Sequence, residues 1–368
     1  MSRNLQQRSG LMEGFADIQM QLRATINQFG IAGLLLGFGL FWSVAGVLLT
    51  PSMKFYSWLL TAFVYLPCIY LLFKQFGDFR ETLLSRRELW LFLLIFVWSM
   101  VSLIWSLGAE QHLTLIKRHL FFLSLLLGWI VWGRMFNRQL QGMFILWGGM
   151  AGIYSLVALI AYPMRGLDRL YGFGGFMDNP NPAGYTIAFL VVLSCTWWPQ
   201  RNGARVVWAL LQACSIAFVV MTGSRGSLLS LMAVAGFVIL MGGGRLYRVL
   251  ALIMMVAAAL LMVFEPSLLE RGDSERLTLI RGALVLVQQH PWLGIGLDSS
   301  YAINAGGVVF DHCHNFILDT AVQYGVIFTA LWLVVWGWVG VRAWRYRSQA
   351  LGMAILMAWG VCHGGAAV

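Results

Sequence analysis

A chain of 368 residues that is 60% hydrophobic and only 11% charged departs from the roughly 25% charged and 45–50% apolar balance of soluble domains, which excludes a water-soluble globular fold. The net charge of +10 would suggest nucleic acid as the partner of a soluble protein. In a membrane chain it reads instead as Lys and Arg held in cytoplasmic loops, and no nucleic-acid partner is expected. Five Cys (68, 195, 214, 313 and 362) are scattered and show no disulfide framework.

Residues 1–29 are polar and mixed and are predicted to be a cytoplasmic N-terminal segment without a cleavable signal. Apolar runs long enough to span then follow near 30–49, 56–73, 89–107, 118–133, 142–162, 184–199, 206–222, 227–241, 249–264, 315–341 and 350–366, each judged against the roughly 20 residues that cross a bilayer. The last of these eleven ends almost at Val368, and the sequence is expected to stop before a twelfth. Seventeen Trp and 11 Tyr suit aromatic belts at the two interfaces.

The loops set the orientation. Sixteen of the 25 basic residues, from Arg3 to Arg347, fall on the side of residue 1, which is therefore predicted to be cytoplasmic. The other nine, Lys54, Lys117, Arg118, Arg165, Arg169, Arg225, Arg271, Arg276 and Arg281, fall on the outer side against that rule. The chain divides into N-terminal transmembrane helices (30–162), helices carrying outer polar motifs (163–264), a large outer loop (265–313) and C-terminal transmembrane helices (314–368).

The outer motifs follow in order. In "RLYGFGGFMDNPNPAGY", Arg169 to Tyr185, Asn181 is predicted to cap a helix with Pro182 at its first position. The glycines permit close backbone approach, and a helix N-terminus attracts anions. The residues either start the sixth span and no more, or bind an anion with Arg169. In "TGSRGS", Arg225 opens the eighth span, where a cation opposes the helix dipole. It either snorkels to lipid phosphate or holds a substrate phosphate.

"DSERLTLIRGALVLVQQHPWLGIG", Asp273 to Gly296, places Leu277, Ile280, Leu284 and Val287 at helical spacing, from a start at Asp273 to a stop at Pro291. It reads as a helix lying on the outer leaflet, with Arg276 and Arg281 flanking its apolar stripe. Its "GIG" has no preceding strand and is no nucleotide fingerprint. "DHCHN", Asp311 to Asn315, then opens the tenth span. His312 and His314 read as metal ligands, as hydrogen-bonded structural groups, or as a catalytic base or substrate-positioning group. With no other outer His or Cys cluster, no metal and no cofactor are expected. Helix N-termini, several Arg and a His on one outer face suit a polyanion beside a proton acceptor, and a lipid-linked diphosphate sugar fits.

The ordered set "RLYGFGGFMDNPNPAG", "TGSRGSLLSL", "ERLTLIRGALVLVQQHPWLGIGLDSSY" and "HCHNFILDTAVQYGVIF" resembles the O-antigen ligase and polymerase superfamily over residues 165 to 341. The resemblance implies an all-α polytopic integral membrane protein of about 11–12 transmembrane helices, GT-C-like, with a periplasmic loop carrying an interfacial helix. The implied activity moves O-antigen glycan from undecaprenyl diphosphate to lipid A–core on the periplasmic face of a bacterial inner membrane. Carried over, Arg169, Arg225 and Arg276 would bind diphosphate, and His314 would be the base of an inverting, metal-independent transfer. His312, Asn181, Asn315 and Arg281 are possible positioning residues. An O-antigen polymerase or a protein O-oligosaccharyltransferase shares these motifs. A transporter of lipid-linked glycan is the rival from another class, and it would need charges along a path through the spans.

Overall fold

A computed structural model describes residues 30–74, 76–77, 80–81, 87–106, 112–135, 137–166, 169–194, 199, 202–240, 252, 256, 273–297, 299, 301–311, 313 and 315–346; at some helical positions, Arg276 among them, the description extends to the backbone alone. The predicted span 350–366, the span 249–264 except Leu252 and Val256, and residues His312 and His314 lie outside the described residues. Ten helices and one hairpin are described: α1 (Gly30–Leu49), α2 (Met53–Lys74), α3 (Arg87–Val101, extended by a 3-10 turn Ser102–Trp105), α4 (His112–Met135), α5 (Asn137–Arg165), α6 (Pro180–Ser194), α7 (Asn202–Met221), α8 (Arg225–Leu240), α9 (Asp273–Gln289), strands β1 (Ile303–Ala305) and β2 (Val308–Phe310), and α10 (Phe316–Arg345). Five of these helices contain stretches long and apolar enough to cross a membrane: α1, α2, α5, α7 and α10. The protein is an all-α polytopic membrane protein. Large apolar side chains that face outward, such as Trp58, Phe73, Ile153 and Val207, are the surface a bilayer solvates.

The centre of the main core is α6. Ala183, Gly184, Ile187, Ala188 and Leu190 to Ser194 are all buried, as expected of a helix apolar on every side. It lies against α5, α7 and α8. Small residues set these approaches: a Cβ at Gly148 would collide with Ser194, and one at Gly152 would come within 2.5 Å of Leu211 Cβ. Lipid gives apolar helices no hydrophobic drive to associate, so close packing of this kind holds them. A second core joins Leu36 and Leu40 of α1 to Leu60, Val64, Cys68 and Leu71 of α2.

Within α2, residues Thr61–Tyr65 form a π turn. Pro67 two residues later has no N–H and its ring cannot pass the carbonyl four residues back, which belongs to Phe63. That carbonyl faces Gly39 of α1, where any Cβ would strike it. A π turn absorbs the mismatch and lets the two helices touch.

Helix α9, the hairpin and the start of α10 form a third core of Leu279, Ala283, Ile295, Tyr301, Ile303, Ala305, Cys313 and Val322. The hairpin pairs Ile303 with Phe310 and Ala305 with Val308, and Ile303 sits against Gly282 of α9. Two residues of the predicted stripe keep the outward face expected of a helix on the leaflet. Leu277 and Leu284 face outward, at 57% and 44% exposure, while Leu279 and Ala283 pack inward. The helix carries apolar residues on two faces, and a strand that the sequence pattern does not announce covers the second.

Candidate active site

The start of α6 differs from the sequence expectation by two residues. Asn179, not Asn181, is the cap: its Oδ1 accepts the Asn181 N–H at 2.9 Å, and its carbonyl accepts the Ala183 N–H at 3.0 Å. Pro180, not Pro182, holds the first position. The two Asn-Pro pairs are alike locally, and tertiary packing selects the first. Proline at the first and third positions leaves Asn181 as the one N–H donor of those three, and Asn179 occupies it. Helix α6 therefore does not present amides to an anion there; what it presents is the Asn181 side chain.

That side chain meets Arg169. The guanidinium donates through one Nη to Asn181 Oδ1 at 3.0 Å and through Nε to the Thr222 carbonyl at 2.7 Å. The next residue, Leu170, donates its N–H to the Met221 carbonyl at 3.0 Å. Arg169 thus closes the C-terminal end of α7, where the helix dipole favours a cation, and ties it to the first turn of α6. These bonds use two of the five N–H donors of a guanidinium.

Helix α7 is terminated by the turn at Gly223, whose φ of 58° lies in the left-handed region that glycine adopts without strain. Ser224 then starts α8, its carbonyl accepting the Leu228 N–H at 3.0 Å and its Oγ accepting from Ser227 at 2.9 Å. Arg225 follows as the first helical residue and is half-buried. The turn is seated on α6: a Cβ at Gly184 would lie 2.6 Å from Ser227 Oγ and 2.9 Å from Thr222 Oγ1. Arg225 comes three residues after the carbonyl that Arg169 grips, so about 11 Å of extended chain at most separates Thr222 from Arg225. One turn therefore organises two guanidinium groups.

The second cluster surrounds the start of α10. Asn315 is its cap, with Oδ1 accepting the Leu318 N–H at 3.1 Å. The buried Cys313 thiol donates to the Asn315 carbonyl at 3.3 Å. Asp319 accepts from the Tyr301 hydroxyl and, at 3.3 Å, from Gln323. Burial and the Asp319 carboxylate push the Tyr301 phenol well above its ordinary range. Burial, with a further push from Asp319, raises the Cys313 thiol. Both groups stay protonated at neutral pH and act as donors.

The "HPWLGIG" segment explains its glycines here. Helix α10 breaks at Gly325, φ 82° and ψ 171°, which frees the Val322 and Gln323 carbonyls from the helical ladder. Ile295 and Gly296 donate their N–H groups to these carbonyls, each at 2.9 Å, and the freed Val326 N–H donates to the Pro291 carbonyl at 2.8 Å. A Cβ at Gly325 would strike the Trp292 carbonyl, and one at Gly296 would lie 2.5 Å from Ser106 Cα. From the other side Ser102 Oγ accepts the Leu297 N–H at 3.1 Å, and Ser106 Oγ donates to its carbonyl at 2.6 Å. The loop is clasped between the end of α3 and the break in α10.

Of the predicted site residues, Arg169, Asn181 and the Arg225 turn are joined. Asn315 belongs to the α10 cluster as a cap, and Arg281 stands exposed on α9 between outward Leu277, Leu284 and Val285. Arg276 is in the first turn of the same helix, and Asp273 to Gln289 matches the predicted bounds. Sequence reasoning did not single out Tyr301 or Asp319. An acid four residues into a membrane-entering helix was a usable signal for Asp319; nothing marked Tyr301. Among the described residues, no group of three His, Cys, Asp or Glu could hold a metal.

Residues 210–333 match the family described as O-Antigen ligase. That stretch, about a third of the chain, is what is similar to the family. It is also similar to an O-antigen ligase of Pseudomonas aeruginosa strain PAO1, at 27% identity over 275 residues, which cover 73% of this chain and 67% of that relative. The matched segment runs from within α7 through Arg225, α9 and the hairpin into α10. Arg169 and Asn181 precede it and reach it through the Thr222 carbonyl.

Proposed function

We propose that this protein is a glycosyltransferase that moves O-antigen glycan from undecaprenyl diphosphate to lipid A–core on the periplasmic face of the inner membrane. The observation that carries the reading is the Arg169 bridge: one guanidinium fixed by Thr222 and Asn181 holds in place the turn that bears Arg225. Arginine keeps its charge at every working pH and grips phosphate oxygens with paired donors. Arg169, Arg225 and Arg276 would bind the diphosphate.

In the proposed reaction the acceptor sugar hydroxyl attacks the anomeric carbon and its proton passes to the His314 imidazole. The bond from that carbon to the phosphate oxygen breaks, and the electron pair leaves with the diphosphate, whose growing charge the arginines neutralise. One displacement inverts the anomeric centre. Diphosphate is a good leaving group without a metal.

Purified protein, lipid-linked glycan with a radiolabel in the sugar, and lipopolysaccharide lacking O-antigen, mixed in EDTA, test this reading. The label is expected to move to lipid A–core in the wild type and to stay on the carrier in His314→Ala and Arg225→Ala. Glycan that lengthens on its carrier instead would make the protein a polymerase. Full transfer by His314→Ala would remove the base from the mechanism.

A further inference from the structure

An apolar groove of about 380 Å³ opens where the end of α1 and the turn after it meet the middle of α5. Its walls are Leu48, Leu49, Ile153 and Val157, and Phe173 with Gly174 closes one end. Leu49, Ile153 and Val157 are each half or more exposed on helices long enough to cross a membrane, so the groove opens sideways to hydrocarbon.

The segment that closes it also carries the cations. Arg169 lies four residues before Phe173, whose N–H donates to Tyr154 Oη of α5 at 2.9 Å. Arg165 donates to the Tyr171 carbonyl at 3.0 Å and lies over the Tyr171 and Phe173 rings, 4.7 and 5.3 Å from their centroids. At most about 14 Å of extended chain joins Arg169 to the lip of the groove. Non-helical backbone beside membrane-spanning helices is tolerated where it lines a cavity or is buried in protein, and Phe173 and Gly174 line this one.

A cationic rim over an apolar, laterally open groove matches an anionic head joined to a hydrocarbon chain. We propose that the groove between α1 and α5 holds the isoprene units nearest the diphosphate of a polyprenyl diphosphate, with the rest of the chain running along the exposed α5 face into the bilayer. The proposal rests on the assignment of the diphosphate to Arg169. It adds where the carrier enters: beside α1 and α5, on the face of the bundle that Leu49, Ile153 and Val157 share.

The test uses full-length protein in nanodiscs and a polyprenyl diphosphate with a diazirine on its second isoprene unit. After irradiation, the label is expected on Leu49, Ile153 or Val157, and unlabelled polyprenyl diphosphate should compete it away. Ile153→Trp and, independently, Leu49→Trp fill the groove from opposite walls and should cut the labelling at least about threefold, a change of about 0.6 kcal/mol. Label spread evenly over the lipid-facing helices, or confined to α9 and α10, overturns the proposal. So does label in the groove that phosphatidylglycerol displaces as well as the polyprenyl diphosphate does, which would make this an ordinary phospholipid site. Arg169→Ala separates the two readings. Loss of groove labelling supports both; retained groove labelling leaves the groove assignment standing and removes Arg169 as the head-group site.

Discussion

The two polar clusters are built on opposite plans. Around Arg169 and Arg225, side chains hold backbone: a guanidinium seals one helix and bridges to the next. Around the α10 break, backbone holds backbone, and glycines matter for the side chain they lack. A charged bridge can serve a ligand as well as the fold, because a guanidinium bonded to neutral carbonyl groups keeps its full positive charge. A backbone seam has no such charge. Substitutions should therefore separate chemistry from architecture at the first cluster and fail to separate them at the second.

The largest expected effect is at the seam. Gly325→Ala puts a Cβ against the Trp292 carbonyl in a backbone region that costs non-glycine residues about 1–3 kcal/mol before any clash. We expect loss of the α9–hairpin unit, seen as rapid proteolysis within residues 273–310 and a lowered Tm. Next comes Arg169→Lys, which keeps the charge but cannot reach Thr222 and Asn181 together. Hydrogen bonds to charged groups are worth about 1.5–3 kcal/mol each, so a fall in Tm with diphosphate binding weakened at least tenfold by calorimetry is expected. A lysine variant that binds as well as the wild type would show that charge alone matters there.

Smaller effects sharpen the capping assignments. Asn179→Ala should cost about 1 kcal/mol, the usual value of a cap, and Asn181→Ala less, while Asn181→Ala weakens diphosphate binding more. The reverse order in thermal unfolding would restore Asn181 as the cap. The smallest effect concerns pH. The folded Tyr301 phenol titrates above its unfolded value of about 10, so its contribution is complete below that pH and is lost as pH rises beyond it. Wild-type stability should fall more steeply between pH 9 and 11 than that of Tyr301→Phe, by about 1 kcal/mol, measured by denaturation at each pH.

Much of the bundle was legible because apolar length is a local property: the predicted spans overlap the described helices from α1 to α8 and α10, and the bounds of α9 held. What failed was what depends on partners. The Asn-Pro repeat offers two equal starts, and only packing chooses between them. The apolar face of α9 that turns inward was set by a three-residue strand too short to show a period. The glycines of "HPWLGIG" carried no message until the carbonyls exposed by Gly325 were in view. Arg169 and Arg225 drew notice in the sequence because they depart from the charge rule on the side predicted to be outer, and the structure places both at the turn after α7.

The interruption at Gly325 also divides labour along α10. Nine residues, Phe316 to Tyr324, precede it, about 14 Å of helix at 1.5 Å per residue. The twenty that follow, to Arg345, tilt as bilayer thickness and neighbouring helices dictate. The short arm takes its bearing from the stitched loop instead. A thinner or thicker membrane can lean the long arm while the Asn315 end keeps its aim.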